Sequence, residues 1–127
     1  MIRLCDMVAR IKNGHSRSRL EVEVLGSKFC EEVLECLTVE GYIRGYSRLP
    51  KGKLKVFLKY KEGKSVIQKM SMVSRPGCRV YYSAKQLRNC FYKNEFILFS
   101  SSKGVFMNKA LLLTQLNSGG EPLISIR

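Results

Sequence analysis

The 127-residue chain has no tryptophan, a single histidine and only three prolines. It also lacks any apolar run near the roughly 18 residues of a membrane-crossing helix; the longest, Phe96 to Phe99 and Ala110 to Leu113, suit a core. Cysteine occurs five times, at Cys5, Cys30, Cys36, Cys78 and Cys90, but the number is odd and no pair stands as C-x-x-C. Such spacing indicates neither a disulfide framework nor a zinc knuckle, so free thiols and no bound metal are expected. An amphipathic pattern begins at once from Met1, with nothing before it that reads as a signal or transit segment, and a reducing aqueous compartment is expected.

The ingredients of catalysis are equally sparse. His15 sits in a Gly/Ser/Arg-rich stretch with no nucleophile and oriented base around it. The basic second half lacks paired carboxylates for hydrolytic or metal-assisted chemistry, and no G-x-x-x-x-G-K-[ST] phosphate loop is present. These absences point to a binding protein without cofactor rather than an enzyme.

Acidic residues are the scarcest class relative to their counterparts: 10 against 23 Lys and Arg, a net charge of +13. Residues 1–64 hold 14 basic and 8 acidic side chains, whereas residues 65–127 hold 9 basic side chains against only Glu95 and Glu121. A carboxylate beside phosphates would be repelled, so a surface stripped of acids suits a polyanionic partner. With 45% hydrophobic residues, the charge belongs to a folded module and not to a disordered tail.

Leu4, Met7, Val8 and Ile11 recur at helical spacing and predict an amphipathic helix ending at Gly14. Leu20, Val22 and Val24 alternate with Glu21 and Glu23 as the buried face of a strand. Gly26-Ser27 then supplies a stop and an N-cap for a second helix, with Phe29, Val33, Leu34 and Leu37 inward and Gly41 at its end. Strands are expected over Tyr42 to Arg48 and Lys53 to Tyr60, joined at Pro50-Lys51-Gly52. Beyond the Lys61 to Lys64 break the pattern changes to short strands at Val66 to Val73, Arg79 to Tyr82, Phe96 to Phe99 and Leu123 to Ile126. Short helices are expected over Ala84 to Cys90 and Lys109 to Leu116. The fold class is α+β: an N-terminal αβαββ domain, 1–64, packed against a mostly β C-terminal domain, 65–127.

Three features bear on a polyanion. Ser100-Ser101-Ser102-Lys103-Gly104 sets three hydroxyls and a close-approach glycine together, fit for phosphate, ribose and base edges, or equally for a solvated turn. Lys51, Lys53, Lys55, Lys59, Lys61 and Lys64 make a comb, with Lys53, Lys55, Lys59 and Lys61 on one strand face, that either tracks phosphates or guards a sheet edge. Tyr81 and Tyr82 fall on opposite faces, so one is expected in the core and the other is available to stack on a base.

Asp6-Met7-Val8-Ala9-Arg10-Ile11-Lys12-Asn13-Gly14, Glu40-Gly41-Tyr42-Ile43, Leu58-Lys59-Tyr60, Val73-Ser74-Arg75-Pro76-Gly77-Cys78-Arg79-Val80-Tyr81, Ser100 to Gly104 and Gly119-Gly120-Glu121 together resemble the family of small-subunit ribosomal protein eight. The resemblance covers nearly the whole chain, in order and in spacing. It implies a non-catalytic protein that binds stems of the central domain of small-subunit ribosomal RNA and supports its assembly, as a monomer among neighbouring ribosomal proteins and away from membranes. By the same resemblance Ser100, Ser101, Ser102, Lys103 and Gly104 read an irregular stem. Arg75, Pro76, Gly77, Arg79, Tyr81, Gly120 and Glu121 flank them, and Arg10, Lys12 and Asn13 meet a second RNA region. The sequence departs from the family at Ala9, along residues 106–118 and at Ser125-Ile126-Arg127. With the cysteines, these departures suggest a mitochondrial ribosome, a bacterial cytoplasm or plastid being the alternatives. By function class, the alternative is a free-standing basic RNA-binding regulatory module.

Overall fold

The computed structural model describes residues 2–109 and 119–127, and the helix expected over Lys109 to Leu116 lies outside the described residues apart from Lys109. The chain divides into two compact units, Met1–Gln68 and Lys69–Arg127.

The first unit begins with α1 (Ile2–Ser16), which buries Leu4, Met7, Val8 and Ile11. Each such side chain contributes about 1.5–3 kcal/mol when removed from water. The helix does not stop at Gly14 as expected. Gly14 is buried in its last turns, where a Cβ would stand 2.6 Å from Val22 Cγ1 and 2.9 Å from Leu58 Cδ1. The glycine serves close helix-on-sheet packing, and the left-handed residue that turns the chain is Ser18, with φ 54°.

Strand β1 (Glu21–Leu25) starts one residue later than the alternation implies, which leaves Leu20 70% exposed instead of on the buried face. Ser27 caps α2 (Lys28–Val39) as expected, its hydroxyl accepting from the Cys30 N–H at 3.2 Å. Cys30, Val33, Leu34 and Leu37 form its buried face, while Phe29 is only half-buried. β2 (Ile43–Leu49) and β3 (Lys53–Leu58) flank a 3-10 turn at Pro50–Gly52, and the three strands form an antiparallel sheet in the order β1-β3-β2. Both helices pack on this sheet, α1 against β1 and β3, α2 against β2. A separate small hairpin, β4 (Tyr60–Lys61) with β5 (Lys64–Ser65), follows. β3 therefore ends at Leu58 and not Tyr60, and the expected four-lysine face shrinks to Lys53 and Lys55. Glu23 stands opposite Lys55 in register, and Lys55 Nζ lies 3.4 Å from a Glu21 carboxylate oxygen.

The second unit holds a four-stranded antiparallel sheet in the order β6-β9-β7-β8: β6 (Met70–Met72), β7 (Phe96–Ser101), β8 (Gly104–Met107) and β9 (Glu121–Ile126). Two sequence expectations fail here. Val66 to Val73 yields only the three residues of β6, and Arg79 to Tyr82 yields no strand but a single bridge from Tyr82 to Gly120. Residues 69–74 already occupy that edge of β9 from Arg127 to Pro122, so Arg79 to Tyr82 meets the chain only at Gly120. α3 (Ala84–Tyr92) opens on a capping box, Ser83 with Gln86. It closes over a core of Leu87, Ile97 and Phe99, against which Tyr82, Cys90 and Phe106 pack. β8 was not expected from the sequence. Its presence makes the serine run a tight hairpin in which only Ser102 and Lys103 are turn residues.

Candidate nucleic-acid interface

In the second unit one carboxylate organises the surface. Glu121 Oε1 accepts from Ser74 Oγ at 2.8 Å and from Arg79 Nε at 3.1 Å, while Oε2 takes Arg79 Nη2 at 2.5 Å. Ser74 is fully buried, and its oxygen also accepts from the Val80 N–H at 3.2 Å. The bidentate guanidinium holds the Glu121 carboxyl below the usual glutamate range, against the opposing effect of burial, with Ser74 adding to the lowering. The two-point fork fixes the plane of the Arg79 guanidinium, whose side chain is 66% exposed.

The same residue ties this network to the serine hairpin, because Ser100 is the register partner of Glu121 across β7 and β9. Gly120 makes the junction possible. A Cβ there would fall on the Ser100 carbonyl and stand 3.1 Å from Phe99 Cδ2, and its N–H and carbonyl exchange hydrogen bonds of 3.0 and 2.9 Å with Tyr82. The structure thus brings Arg79, Ser100, Gly120 and Glu121 into one connected surface. Arg75, Pro76 and Gly77 form an exposed turn closed by two backbone bonds between Arg75 and Cys78. Of the two tyrosines, Tyr82 packs on the core and Tyr81 stands 70% exposed.

The hydroxyls of the hairpin are not equivalent. Ser101 Oγ donates to the Gly104 carbonyl at 3.2 Å and accepts from the Lys103 N–H at 3.3 Å, so its bonding is spent inside the turn. Ser102 and Lys103 project at the exposed tip. Gly104, at φ 128°, takes a conformation closed to other residues in practice.

Arg10, Lys12 and Asn13 lie on α1 in the other unit. Arg10 is anchored by Nε to Asp6 at 3.0 Å and by Nη1 to the Glu23 carbonyl at 3.2 Å. With Asn13, Arg17 and Arg19 it lines an open groove whose other wall carries Glu21 and Glu23. Lys12 is exposed. His15, in the last turn, has both ring nitrogens buried without a hydrogen-bond partner and meets the Tyr60 ring edge-on at 5.5 Å. Burial holds its pKa below the ordinary histidine value.

Sequence reading missed Ser74 and Asn108. Ser74 is one of two serines in Ser71-Met72-Val73-Ser74-Arg75, and only its bonds to Glu121 and the Val80 N–H reveal its role. Asn108 is fully buried and bonds to Leu87, Glu95 and Ile97. Arg17 and Arg19 were legible only as charge.

A model of the Ribosomal protein S8 family matches residues 3–126. Small ribosomal subunit protein uS8 of Rhizobium rhizogenes (strain K84) is 42% identical over 127 aligned residues, 97% of this chain and 95% of the relative. The proteins of the same name from Rhizobium meliloti (strain 1021) and Sinorhizobium medicae (strain WSM419) are 41% and 40% identical over the same shares. With its motifs in register from α1 to β9, the chain belongs to the Ribosomal protein S8 family.

Proposed function

We propose that this chain is a structural, non-enzymatic constituent of the small ribosomal subunit that binds the central domain of small-subunit ribosomal RNA and supports its assembly. One observation carries the placement of the site. In a unit with nine basic side chains and two acidic ones, the Glu121 carboxylate is consumed in orienting Arg79 beside a hairpin that ends in Ser102 and Lys103. Arg79 offers a planar donor to phosphate, Ser102 a hydroxyl for ribose or base edges, Lys103 a point charge, and Tyr81 a stacking face. Ser100, Ser101, Gly104, Gly120 and the Arg75-Pro76-Gly77 turn shape the surface. Arg10, Lys12 and Asn13 form a second contact.

Titration of a central-domain stem and a scrambled stem tests this assignment. Ser102→Ala removes an exposed hydroxyl without touching the turn, and is expected to weaken cognate binding by about 1–3 kcal/mol while leaving the scrambled stem unaffected. Wild-type log affinity should fall with log salt by about 0.9 per phosphate neutralised. Equal loss on both stems, or a flat salt response, contradicts the assignment. A free-standing regulatory module would not co-sediment with the small subunit, whereas a constituent does so almost completely.

We infer a mitochondrial subunit from the five cysteines and the departures at Ala9, 106–118 and Ser125-Ile126-Arg127. The relatives named above are bacterial, and a bacterial cytoplasm or a plastid is the competing outcome. Fractionation of ribosomes from purified organelles, followed by detection of this chain, decides between them.

A further inference from the structure

We propose that the outer stripe of α3 is an additional RNA contact, with Tyr92 as a stacking platform for an unpaired nucleotide and Lys85 and Lys93 as its phosphate anchors. The proposal rests on the ribosomal RNA reading above but concerns residues outside the site described there.

α3 separates its faces cleanly. Leu87 is buried, and Cys90 and Phe91 are half-buried on the same side. Lys85, Asn89 and Tyr92, at i, i+4 and i+7, are exposed on the other side, with Lys93 following at the C-cap. No acidic residue occurs between Ser83 and Asn94. Of the two carboxylates of the unit, Glu121 is bound to Arg79 and Ser74, and Glu95 lies past the end of the helix in a groove with Lys69 and Arg127. No carboxylate stands on the helix itself to offset Lys85 and Lys93, and charge complementarity selects a polyanion over a basic or apolar protein surface.

Tyr92 is an unusual residue to leave in solvent. It is 69% exposed, yet it is not loosely tethered. Its ring meets Phe91 edge-on at 6.4 Å between centroids, and Phe91 meets Phe96 in the same manner at 5.8 Å. This aromatic ladder runs from the first residue of β7 outward and limits the rotamers of the exposed ring. A braced aromatic surface beside cations is the arrangement that binds single-stranded nucleic acid, because every base has a π face and little side-chain entropy remains to be lost.

The absence of tryptophan from the chain makes the test direct. Tyr92→Trp places a sole tryptophan, excited at wavelengths where the tyrosines do not absorb, at the stacking position, to be titrated with a transcript of the whole central domain. Stacking is expected to quench its emission by at least half, while Tyr92→Phe keeps wild-type affinity and Tyr92→Ala loses about tenfold. Lys85→Gln combined with Lys93→Gln should reduce the salt slope by about one to two units. All these positions are exposed, and thermal unfolding of each variant verifies that the fold is retained. Unchanged emission together with unchanged affinity of Tyr92→Ala overturns the proposal while the wild type still binds. A protein neighbour seated on α3 would give that same flat RNA titration. If the wild type itself fails to bind the transcript, the ribosomal RNA reading falls and this contact falls with it.

Discussion

In the unit of residues 1–68 basic side chains meet carboxylates across secondary structure: Lys55 with Glu21 between strands, Arg48 with Glu31 between strand and helix, Arg10 with Asp6 along α1. In the unit of residues 69–127 the ion pair of Arg79 with Glu121 holds an exposed guanidinium in place. The first set links neighbouring elements, while in the second a carboxylate also bound to a buried serine fixes the plane of its guanidinium. Similar totals of excess positive charge are thus arranged differently, with three pairs tying elements together in one unit and one pair orienting an exposed guanidinium in the other. Surface pairs of the first kind contribute little to stability, so their effect is chiefly to remove unpaired charge from the sheet.

The contrast can be broken most severely through two glycines. Gly120→Ala forces a methyl group into the Ser100 backbone, which cannot yield without parting β7 from β9, and should destabilise the second unit by about 3 kcal/mol. Gly14→Ala meets side chains of Val22 and Leu58 instead, which can shift, and gains helix propensity, so about 1 kcal/mol is expected. Urea unfolding followed by signals from each unit measures both; equal losses would mean that the Gly120 junction is not rigid.

Asn108→Ala comes next. It leaves the Ile97 N–H and the Leu87 and Glu95 carbonyls without their partner, at about 2 kcal/mol, and hydrogen exchange should rise in the second unit alone.

Acid separates the units more gently. His15 is held neutral by burial, so its unfolded form binds a proton first, and the first unit should lose stability as pH falls through about 6.5. Glu121 is held ionised, so its contribution persists through that range and is lost only as pH drops below the ordinary glutamate value of about 4.3. Amide exchange at pH 7, 5 and 3.5 follows the two in turn. His15→Gln should flatten the first step, and loss of both units in one step would remove the distinction.

The smallest effect belongs to the lysines of β3. Lys53→Gln with Lys55→Gln should change stability by no more than about 0.5 kcal/mol and weaken cognate and scrambled RNA alike, since Lys55 already faces Glu21. A selective loss on cognate RNA would count against the proposed recognition surface at Arg79 and the serine hairpin.

Where side-chain periodicity alone decides an element, the sequence was sufficient: α1, the Ser27 cap, α2 and the strand from Phe96 could all be placed from spacing and punctuation. The failures share a different cause. Gly14 looks like a helix stop in one dimension, and only the presence of Val22 and Leu58 against it shows that the missing methyl serves packing. The strand expected at Arg79 to Tyr82 has strand composition, but residues 69–74 already fill that edge of β9. Ser100 to Gly104 reads as a polar loop because serine is a turn former, whereas pairing of Ser100 with Val105 and Ser101 with Gly104 makes half of it strand. The site was legible as residue types; the division of labour between Ser101, which holds the turn, and Ser102, which faces outward, was not.

Asn108 has a consequence for how this chain can change over time. Its backbone N–H bonds to the Ile97 carbonyl at 2.9 Å while its side-chain oxygen accepts from the Ile97 N–H at 3.2 Å, so one residue completes by itself the pair that a longer β8 would have made. Two amide protons of the same side chain fasten that point to the carbonyls of Leu87 and Glu95. The edge is thereby sealed at a fixed position in the chain. On the far side, Gly120 and Glu121 lock β9 to Ser100 independently. Between two such anchors, residues can be inserted, deleted or exchanged without shifting the register of the strands on either side.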